Sequence, residues 1–190
     1  AAGLSALSPL NLVLAQGTGP IRIGVLIAQS GPAAAYGAEE RRAIEAVVSE
    51  VNAQGGIKGR KIELVVRDTK TDPTEAARLA NQVIADDKVI AIIGATTGSE
   101  TLAFADAATR AQIPIFPMVG TPSVTDPGKP YFKWTYRMSV PLTTDLPASF
   151  NRMVKDGKKR MAVFSEEDAY GQQGAAMAVE LAKKHADIVV

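Results

Sequence analysis

Four hydroxyl-bearing side chains lie close together, directly after an apolar segment. The segment is residues 89–93, VIAII, and the hydroxyls that follow belong to Thr96, Thr97, Ser99 and Thr101. The apolar run predicts a buried strand, and the residues after it predict a helix over about 99–111. A helix N-terminus offers unpaired N–H groups and partial positive charge to an anion. Hydroxyls also cap helices, but capping needs only one, so the group favours a small-anion site with a carboxylate as the candidate ligand.

A second loop follows the first predicted strand, and its spacing argues against phosphate. It runs over residues 30–37, SGPAAAYG, whereas a dinucleotide site needs Gly-x-Gly-x-x-Gly and a P-loop needs Gly-x-x-x-x-Gly-Lys-Ser/Thr. Gly31 and Gly37 are one residue too far apart, and Ala38-Glu39 replaces Lys-Ser/Thr. Tyr36 stands at a predicted helix start, where its ring either covers an apolar ligand or is an ordinary core or surface tyrosine.

The chain offers little for catalysis, metal binding or nucleic acid. It has no cysteine and one histidine, His185, which sits beside two lysines and is expected to be solvated. Ser99 is not in a Gly-x-Ser-x-Gly motif, and no pair of carboxylates suits acid–base work. The net charge of +1 gives no nucleic-acid footprint, and the basic run 155–160 is read as a helix end. We therefore predict no catalytic residue, no metal and no cofactor.

Strands and helices alternate along the first part of the chain, which predicts right-handed βαβ units and a parallel sheet covered on both faces. Asp72, Pro73 and Glu75 form a helix start as N-cap, N1 and N3 residues. The predicted strands are 21–27, 62–66, 89–93 and 113–116, and the predicted helices are 36–54, 73–86 and 99–111.

The pattern changes after Pro117, where a segment rich in proline and glycine predicts a loop to residue 130. A fresh strand–helix pattern then suggests a second unit. Its predicted elements are a strand at 132–138, a helix at 142–156, a strand at 161–164, a helix at 171–184 and a strand at 187–190. We predict one complete lobe over residues 16–140 and the truncated start of another over 141–190.

The N-terminal segment differs from the rest. Residues 1–15, AAGLSALSPLNLVLA, are apolar and uncharged, and Val13-Leu14-Ala15 has the small-x-small form of a signal cleavage site. They predict the tail of a secretory signal peptide, with the mature chain starting near Gln16 and working outside the cytoplasm. The alternative is an ordinary flexible or amphipathic leader.

Five short motifs stand in a recognisable order over about residues 20–190. They are SGP through YG at 30–37, NAQGGIKG at 52–59, DP at 72–73, IG at 93–94 and DAYG at 168–171. In this order the chain resembles periplasmic binding proteins of the branched-chain amino-acid (Leu/Ile/Val) type, the receptors of ABC transporters. The resemblance implies an α/β fold, the type I periplasmic binding fold, with two Rossmann-like lobes closing as a clamp.

The resemblance also implies a ligand site. The turn at 97–99 would meet the α-carboxylate, the loop at 119–121 would contribute a carbonyl and a hydroxyl, and two tyrosines would cover the ligand side chain. The implied ligand-binding residues are Tyr36, Thr97, Gly98, Ser99, Val119, Gly120, Thr121 and Tyr170. The acidic partner of the ammonium would lie beyond Val190.

Two departures from the family pattern bear on specificity. Gly98 stands where relatives often have the carboxylate-binding serine, with Ser99 one residue on. Either the loop is shifted or backbone N–H groups take a larger part in binding. Thr71 and Thr97 occupy the positions that a disulfide joins in some relatives, so both partners are replaced together.

The expected function is a periplasmic solute-binding receptor that captures a small carboxylate, foremost a branched-chain amino acid, for an ABC permease in the inner membrane. The full-length protein is expected to be a monomer. A ligand-sensing domain of the same fold, regulating a receptor or an amide-responsive system, is the alternative. An α/β enzyme is a third hypothesis, and no nucleophile or acid–base pair in the sequence supports it.

Overall fold

The computed structural model describes residues 19–185 and residue 188. The predicted leader over residues 1–15 lies outside the described residues, and so does all but one residue of the predicted strand 187–190. Among the described residues, no helix is long and apolar enough to cross a membrane.

The described residues form a parallel sheet of four strands. The first four predicted strands are confirmed in place, although the last two of them are shorter than expected. Their bounds are Ile21–Ile27 (β1), Ile62–Asp68 (β2), Ala91–Gly94 (β3) and Ile115–Phe116 (β4), and they lie in the sheet in the order β2-β1-β3-β4. Because every pairing is parallel, the carboxyl ends of all four strands meet at one edge.

In the part of the chain that the structure describes, five α-helices accompany the sheet, at or near the predicted positions. Their bounds are Ala34–Ala53 (α1), Pro73–Ala85 (α2), Gly98–Arg110 (α3), Leu142–Lys155 (α4) and Ala169–Lys183 (α5). The predicted cap of α2 is confirmed, since the Asp72 carboxylate accepts a hydrogen bond from the Glu75 N–H at 2.8 Å with Pro73 at the first turn. A cap of this kind contributes on the order of 1 kcal/mol.

Two predicted strands are absent from the described sheet. Residues 130–134 form a 3-10 helix instead, started by Pro130, and Thr135 makes a single bridge to Ile115. Residues 161–164 carry no strand assignment, and Phe164 is 96% exposed. Both segments have strand-like composition, but that preference needs a neighbouring strand to be realised.

The prediction for His185 was also wrong. The imidazole is half-buried and lies against the ring of Phe150, with centroids 5.3 Å apart. Phe150 of α4 is itself buried, so His185 closes the end of the α4–α5 pair. The two lysines beside His185 in the sequence suggested a solvated side chain and gave no sign of its contact with Phe150.

The hydrophobic core lies between the sheet and the helix pair α2 and α3, which pack against each other. The apolar face predicted for α2 is confirmed, with four of its five members buried and Ile84 partly buried. Phe104 of α3 is the largest fully buried side chain. The core combines Leu26, Val65, Ile92 and Ile115 of the sheet with Leu79, Val83, Phe104 and Ala108 of the two helices.

The strand order has a direct consequence for ligand binding. β1 and β3 are neighbours, but the chain leaves β1 towards β2 on one side and leaves β3 towards β4 on the other. The loops after β1 and β3 therefore diverge and leave a crevice between them. Such a switch point is where open α/β sheets bind ligands.

Replacing Phe104 with alanine should destabilise the intact protein by about 3–5 kcal/mol, because it removes a buried ring and leaves a cavity. Thermal denaturation should show the loss as a lower midpoint. Val47→Ala is the control, since that helix side chain is mostly exposed, and it should change the midpoint little. Equal midpoints for the two variants would contradict this picture of the core.

Candidate functional site

A cleft of about 650 Å³ lies at the carboxyl edge of the sheet, where the loops meet residues 166–170. Every strand contributes to its wall through the loop that follows it. Seven of the eight residues predicted from the sequence line this cleft: Tyr36, Thr97, Gly98, Val119, Gly120, Thr121 and Tyr170. Their assignment as ligand contacts stays a prediction, but the structure brings them together.

Ser99 does not line the cleft. Its Oγ accepts a hydrogen bond at 2.9 Å from the N–H of Ala169, the first residue of α5. The hydroxyl therefore joins the start of α3 to the start of α5, which also carries Tyr170. In this structure Ser99 positions one wall of the cleft against another.

The other three hydroxyls of the turn also have partners within the chain. The Thr97 hydroxyl donates to the Glu100 carboxylate at 2.7 Å, and Thr101 donates to the Thr97 carbonyl at 2.9 Å. The Thr96 hydroxyl donates to the Glu40 carboxylate at 2.6 Å and accepts from the Ala28 N–H at 3.0 Å. The four hydroxyls therefore cap helices or link loops within the chain. Fewer of them are available as donors to a ligand than the sequence suggested.

The free hydrogen-bond donors of this turn are backbone N–H groups. The Thr97 N–H donates to Glu100, but no hydrogen bond among the described residues occupies the N–H groups of Gly98 and Ser99. These two groups are the unpaired donors of the first turn of α3. Together with the partial positive charge of the helix they can hold an anion.

Thr121 lies against this helix start. Its hydroxyl oxygen is fully buried and has no hydrogen-bond partner among the described residues, although Thr121 lines the cleft. A Cβ added to Gly98 would collide with the Thr121 hydroxyl and lie 2.8 Å from its Cβ. With Thr121 in this place, only glycine fits at position 98, which accounts for the missing serine.

The two tyrosines stand on different elements at the rim. Tyr36 is 67% exposed and Tyr170 is 40% exposed, and both line the cleft. A Cβ on Gly37 would collide with the Ala28 carbonyl, so glycine lets α1 begin directly beside the end of β1. The Tyr170 ring lies over Gly120, where an added Cβ would be 2.9 Å from the ring. The role of the two rings as covers of a ligand side chain stays a prediction.

The loop between β1 and α1, which leads to Tyr36 in the first turn of α1, is fastened by Asp68 at the end of β2. One oxygen of this carboxylate accepts from the N–H groups of Gln29, Ser30 and Lys70 at 2.9–3.1 Å, and the other accepts from the Ser30 hydroxyl at 2.7 Å. Burial acts to raise the pKa of Asp68, but the hydrogen bonds from Ser30, Lys70 and Gln29 outweigh it and hold the pKa below its usual value.

Thr71 continues this fastening. Its hydroxyl donates to the Ser30 carbonyl at 3.2 Å and accepts from the Ala33 N–H at 3.1 Å. The two threonines at the former disulfide positions thus have separate uses, since Thr71 braces one loop and Thr97 caps α3. No covalent link is needed to join the two loops to the sheet.

Sequence reasoning missed the acidic lining of the cleft. Glu40 stands one helical turn after Tyr36 on α1, and this i, i+4 spacing was the signal that could have found it. Burial raises the pKa of Glu40, the hydrogen bond from Thr96 lowers it, and the charge of Glu100 raises it further, with a net increase. The other acidic lining residues are Asp145, Glu166, Glu167 and Asp168.

Comparison with known proteins decides the family. A family model described as "Periplasmic binding protein" matches residues 20–189. The chain belongs to this family.

Relatives in this family include amino-acid receptors. The Leu/Ile/Val-binding protein of Escherichia coli K12 is 32% identical over 99% of this chain and 50% of its own length. The chain thus spans about half the length of the curated relatives it matches.

Solved structures of the family show the same fold. The branched-chain amino acid transporter substrate-binding protein LivJ of Streptococcus pneumoniae, in complex with isoleucine, matches with a TM-score of 0.75 at 27% identity, over 86% of this chain and 46% of that one. A solute-binding protein of Rhodopseudomonas palustris BisB5, in complex with 3,4-dihydroxybenzoic acid, matches with a TM-score of 0.79 at 26% identity, over 90% and 46%.

Acid should reveal the role of Asp68. Because its pKa is lower in the folded state, its contribution is complete above the unfolded value of about 4 and is lost as the pH falls through the folded value. Asp68→Asn should lower the thermal midpoint at pH 7 and flatten its decline below about pH 4.

The control is Asp86→Asn, an exposed carboxylate whose side chain makes no hydrogen bond among the described residues. It should keep the wild-type midpoint and the wild-type acid profile. An Asp68→Asn profile as steep as that of the wild type would contradict the assignment.

Proposed function

We propose that the intact protein is an extracytoplasmic solute receptor that captures a small carboxylate for an ABC importer. The observation that carries this is the buried, unpartnered hydroxyl of Thr121, a residue of the cleft lining, beside the free N–H groups at the start of α3. A buried hydroxyl without a partner costs about 1–3 kcal/mol. A ligand carboxylate would supply the missing partner for the hydroxyl and for both N–H groups.

The leading ligand class is a branched-chain amino acid. Support comes from the named ligands of relatives and from the apolar contributions of Val119 and the two tyrosine rings to the cleft. Aromatic acids are the second class. The R. palustris relative was solved with 3,4-dihydroxybenzoic acid, and a flat ring would fit between the aromatic faces of Tyr36 and Tyr170.

The proposed mechanism follows from the half-open cleft. The lobe over residues 16–140 binds the carboxylate, and the remainder of the protein, beginning at 141–190, closes over it. Closure excludes water and strengthens the hydrogen bonds to the buried carboxylate. The closed form then docks on the permease. In this proposal the protein is a periplasmic monomer released by cleavage near residue 15, and it performs no reaction.

Isothermal titration calorimetry on the intact protein tests the ligand class. The panel is leucine, isoleucine, valine, 3,4-dihydroxybenzoate and leucinamide, in which an amide replaces the carboxylate. We expect at least one carboxylate to bind, and leucinamide to bind at least tenfold more weakly than leucine if leucine is the ligand. Absence of binding by every carboxylate, or equal binding of leucinamide and leucine, would refute the proposal.

A matched pair of variants tests the carboxylate contact. Thr69 and Thr121 are both fully buried with unpartnered hydroxyls, but only Thr121 lines the cleft. Thr121→Val should weaken carboxylate binding by about 10- to 150-fold, since hydrogen bonds to charged groups contribute 1.5–3 kcal/mol. It should leave the thermal midpoint of the ligand-free protein unchanged or raised.

Thr69→Val serves as the control. It should have the same small effect on the midpoint and no effect on affinity. Equal affinities for the two variants would show that the Thr121 hydroxyl does not reach the ligand.

A further inference from the structure

We propose that Gln173 is a positioning residue that holds the intact protein in its closed conformation without contacting the ligand. The inference rests on the proposed function and extends it. In that function residues 141–190 belong to the part that closes over the first lobe, so a bond between the two parts stabilises the closed form. Gln173 therefore changes the affinity for every ligand of the cleft by the same factor.

The first step is a pair of hydrogen bonds between Gln173 and Ser123. Gln173 lies on α5, one turn after Tyr170, and Ser123 lies in the short 3-10 helix Pro122–Thr125. The Gln173 Oε1 accepts from the Ser123 N–H at 3.0 Å, and the Gln173 Nε2 donates to the Ser123 hydroxyl at 2.7 Å. Because one residue engages both ends of the amide, the contact fixes the orientation of α5 as well as its distance.

The second step is the place of these bonds in relation to the proposed ligand. Ser123 stands two residues after Thr121, whose hydroxyl is the proposed carboxylate donor. Within the described chain, neither Ser123 nor Gln173 lines the cleft, and both line a second pocket of about 500 Å³. The two bonds therefore join two walls of the cleft at a place that a ligand in the cleft does not contact.

The third step is the polar character of the contacts between α5 and the first lobe. The Ser99 hydroxyl accepts from the Ala169 N–H at 2.9 Å, so the start of α5 is also bonded to α3. An apolar contact of α5 is made with α4, since the Leu142 side chain lies 3.4 Å from the place of a Cβ on Gly174. Parts of a chain that meet through a small polar interface move relative to each other more readily than parts with a large apolar one. Hydrogen bonds of this kind suit a contact that forms and breaks.

The fourth step is the link between closure and affinity. A ligand that binds only the closed form has an apparent affinity that is reduced by the fraction of protein that is closed. Hydrogen bonds that form on closure raise this fraction for all ligands alike. Their loss should weaken binding by about 5- to 50-fold, the range for two neutral hydrogen bonds whose groups can otherwise bond to water.

The experiment is calorimetry on the intact protein. The probe is leucine or, if leucine does not bind to the wild type, the carboxylate of the panel above that binds most tightly. Gln173→Met keeps the length and the helix preference of the side chain but removes both hydrogen bonds, and we expect the affinity to fall by about 5- to 50-fold. Gln172→Met is the matched control. That exposed side chain makes one hydrogen bond of 3.4 Å, to the Glu167 carbonyl, and its loss should leave the affinity unchanged.

Two double-mutant cycles separate closure from a local effect on the ligand site. Ser123→Ala removes one of the two bonds, and in the Gln173→Met background it should have no further effect because that bond is already lost. Thr121→Val removes the proposed ligand contact. Its effect should multiply with that of Gln173→Met, because the two act independently.

The outcomes separate this proposal from the function beneath it. Unchanged affinity in Gln173→Met, or a further loss when Ser123→Ala is added to it, would show that the bonds do not stabilise the closed form. No further loss when Gln173→Met is added to Thr121→Val would show that Gln173 acts only by shaping the carboxylate site. Absence of binding by every carboxylate of the panel would overturn the receptor function and the role of Gln173 together.

A second variant covers the case in which Gln173→Met does not fold. Ser123→Ala alone removes the hydroxyl and should lower the affinity by about 2- to 12-fold, as expected for one hydrogen bond. Affinity equal to that of the wild type would then overturn the proposal.

Discussion

The capping box at the start of α3 is the interaction on which the cleft depends. The buried Glu100 carboxylate accepts from the N–H and the hydroxyl of Thr97, and a carboxylate in the first helical turn is also favoured by the helix dipole. These contacts offset part of the cost of burying a charge. They also decide the chemistry of the turn, because the Thr97 hydroxyl and N–H are used internally. In the proposed function, the donors left for an anion are the next two N–H groups and the hydroxyl of Thr121.

The reversal of chain direction between β1 and β3 determines which loops lie next to the capping box. The chain turns away from β1 and β3 in opposite directions, so the loop with Tyr36 and the start of α3 face each other across a gap. Asp68 and Thr71 fasten the first of these loops, and Ser99 links the second to α5. Asp68 and Thr71 lie at or just after the end of β2 and hold the loop that follows β1, whereas Ser99 in the first turn of α3 holds the first residue of α5. Rigid supports of this kind keep the cleft residues in place before a ligand arrives.

The sequence predicts those features that local physics decides. The cap at Asp72 depends on neighbouring residues alone, and it is confirmed. The strand at Ile21–Ile27 is also confirmed, and it has β2 and β3 as partners. The segments 132–138 and 161–164 have strand composition, but a strand also requires a partner, which local sequence does not supply. The same limit applies to the cleft. A count of hydroxyls suggested free donors, whereas Thr96 is engaged by Glu40, 56 positions away along the chain. Such a pairing exists only after the sheet has formed.

The unpaired groups of the cleft link the stability of the protein to ligand binding. The Thr121 hydroxyl is buried without a partner among the described residues, and such a group weakens the folded state relative to a paired arrangement. The N–H groups of Gly98 and Ser99 also lack partners among the described residues. A ligand that pairs them binds only the folded protein, so it returns this free energy and stabilises the protein in proportion to ligand concentration over affinity. In the proposed function, the buried hydroxyl that costs stability is therefore also a source of affinity.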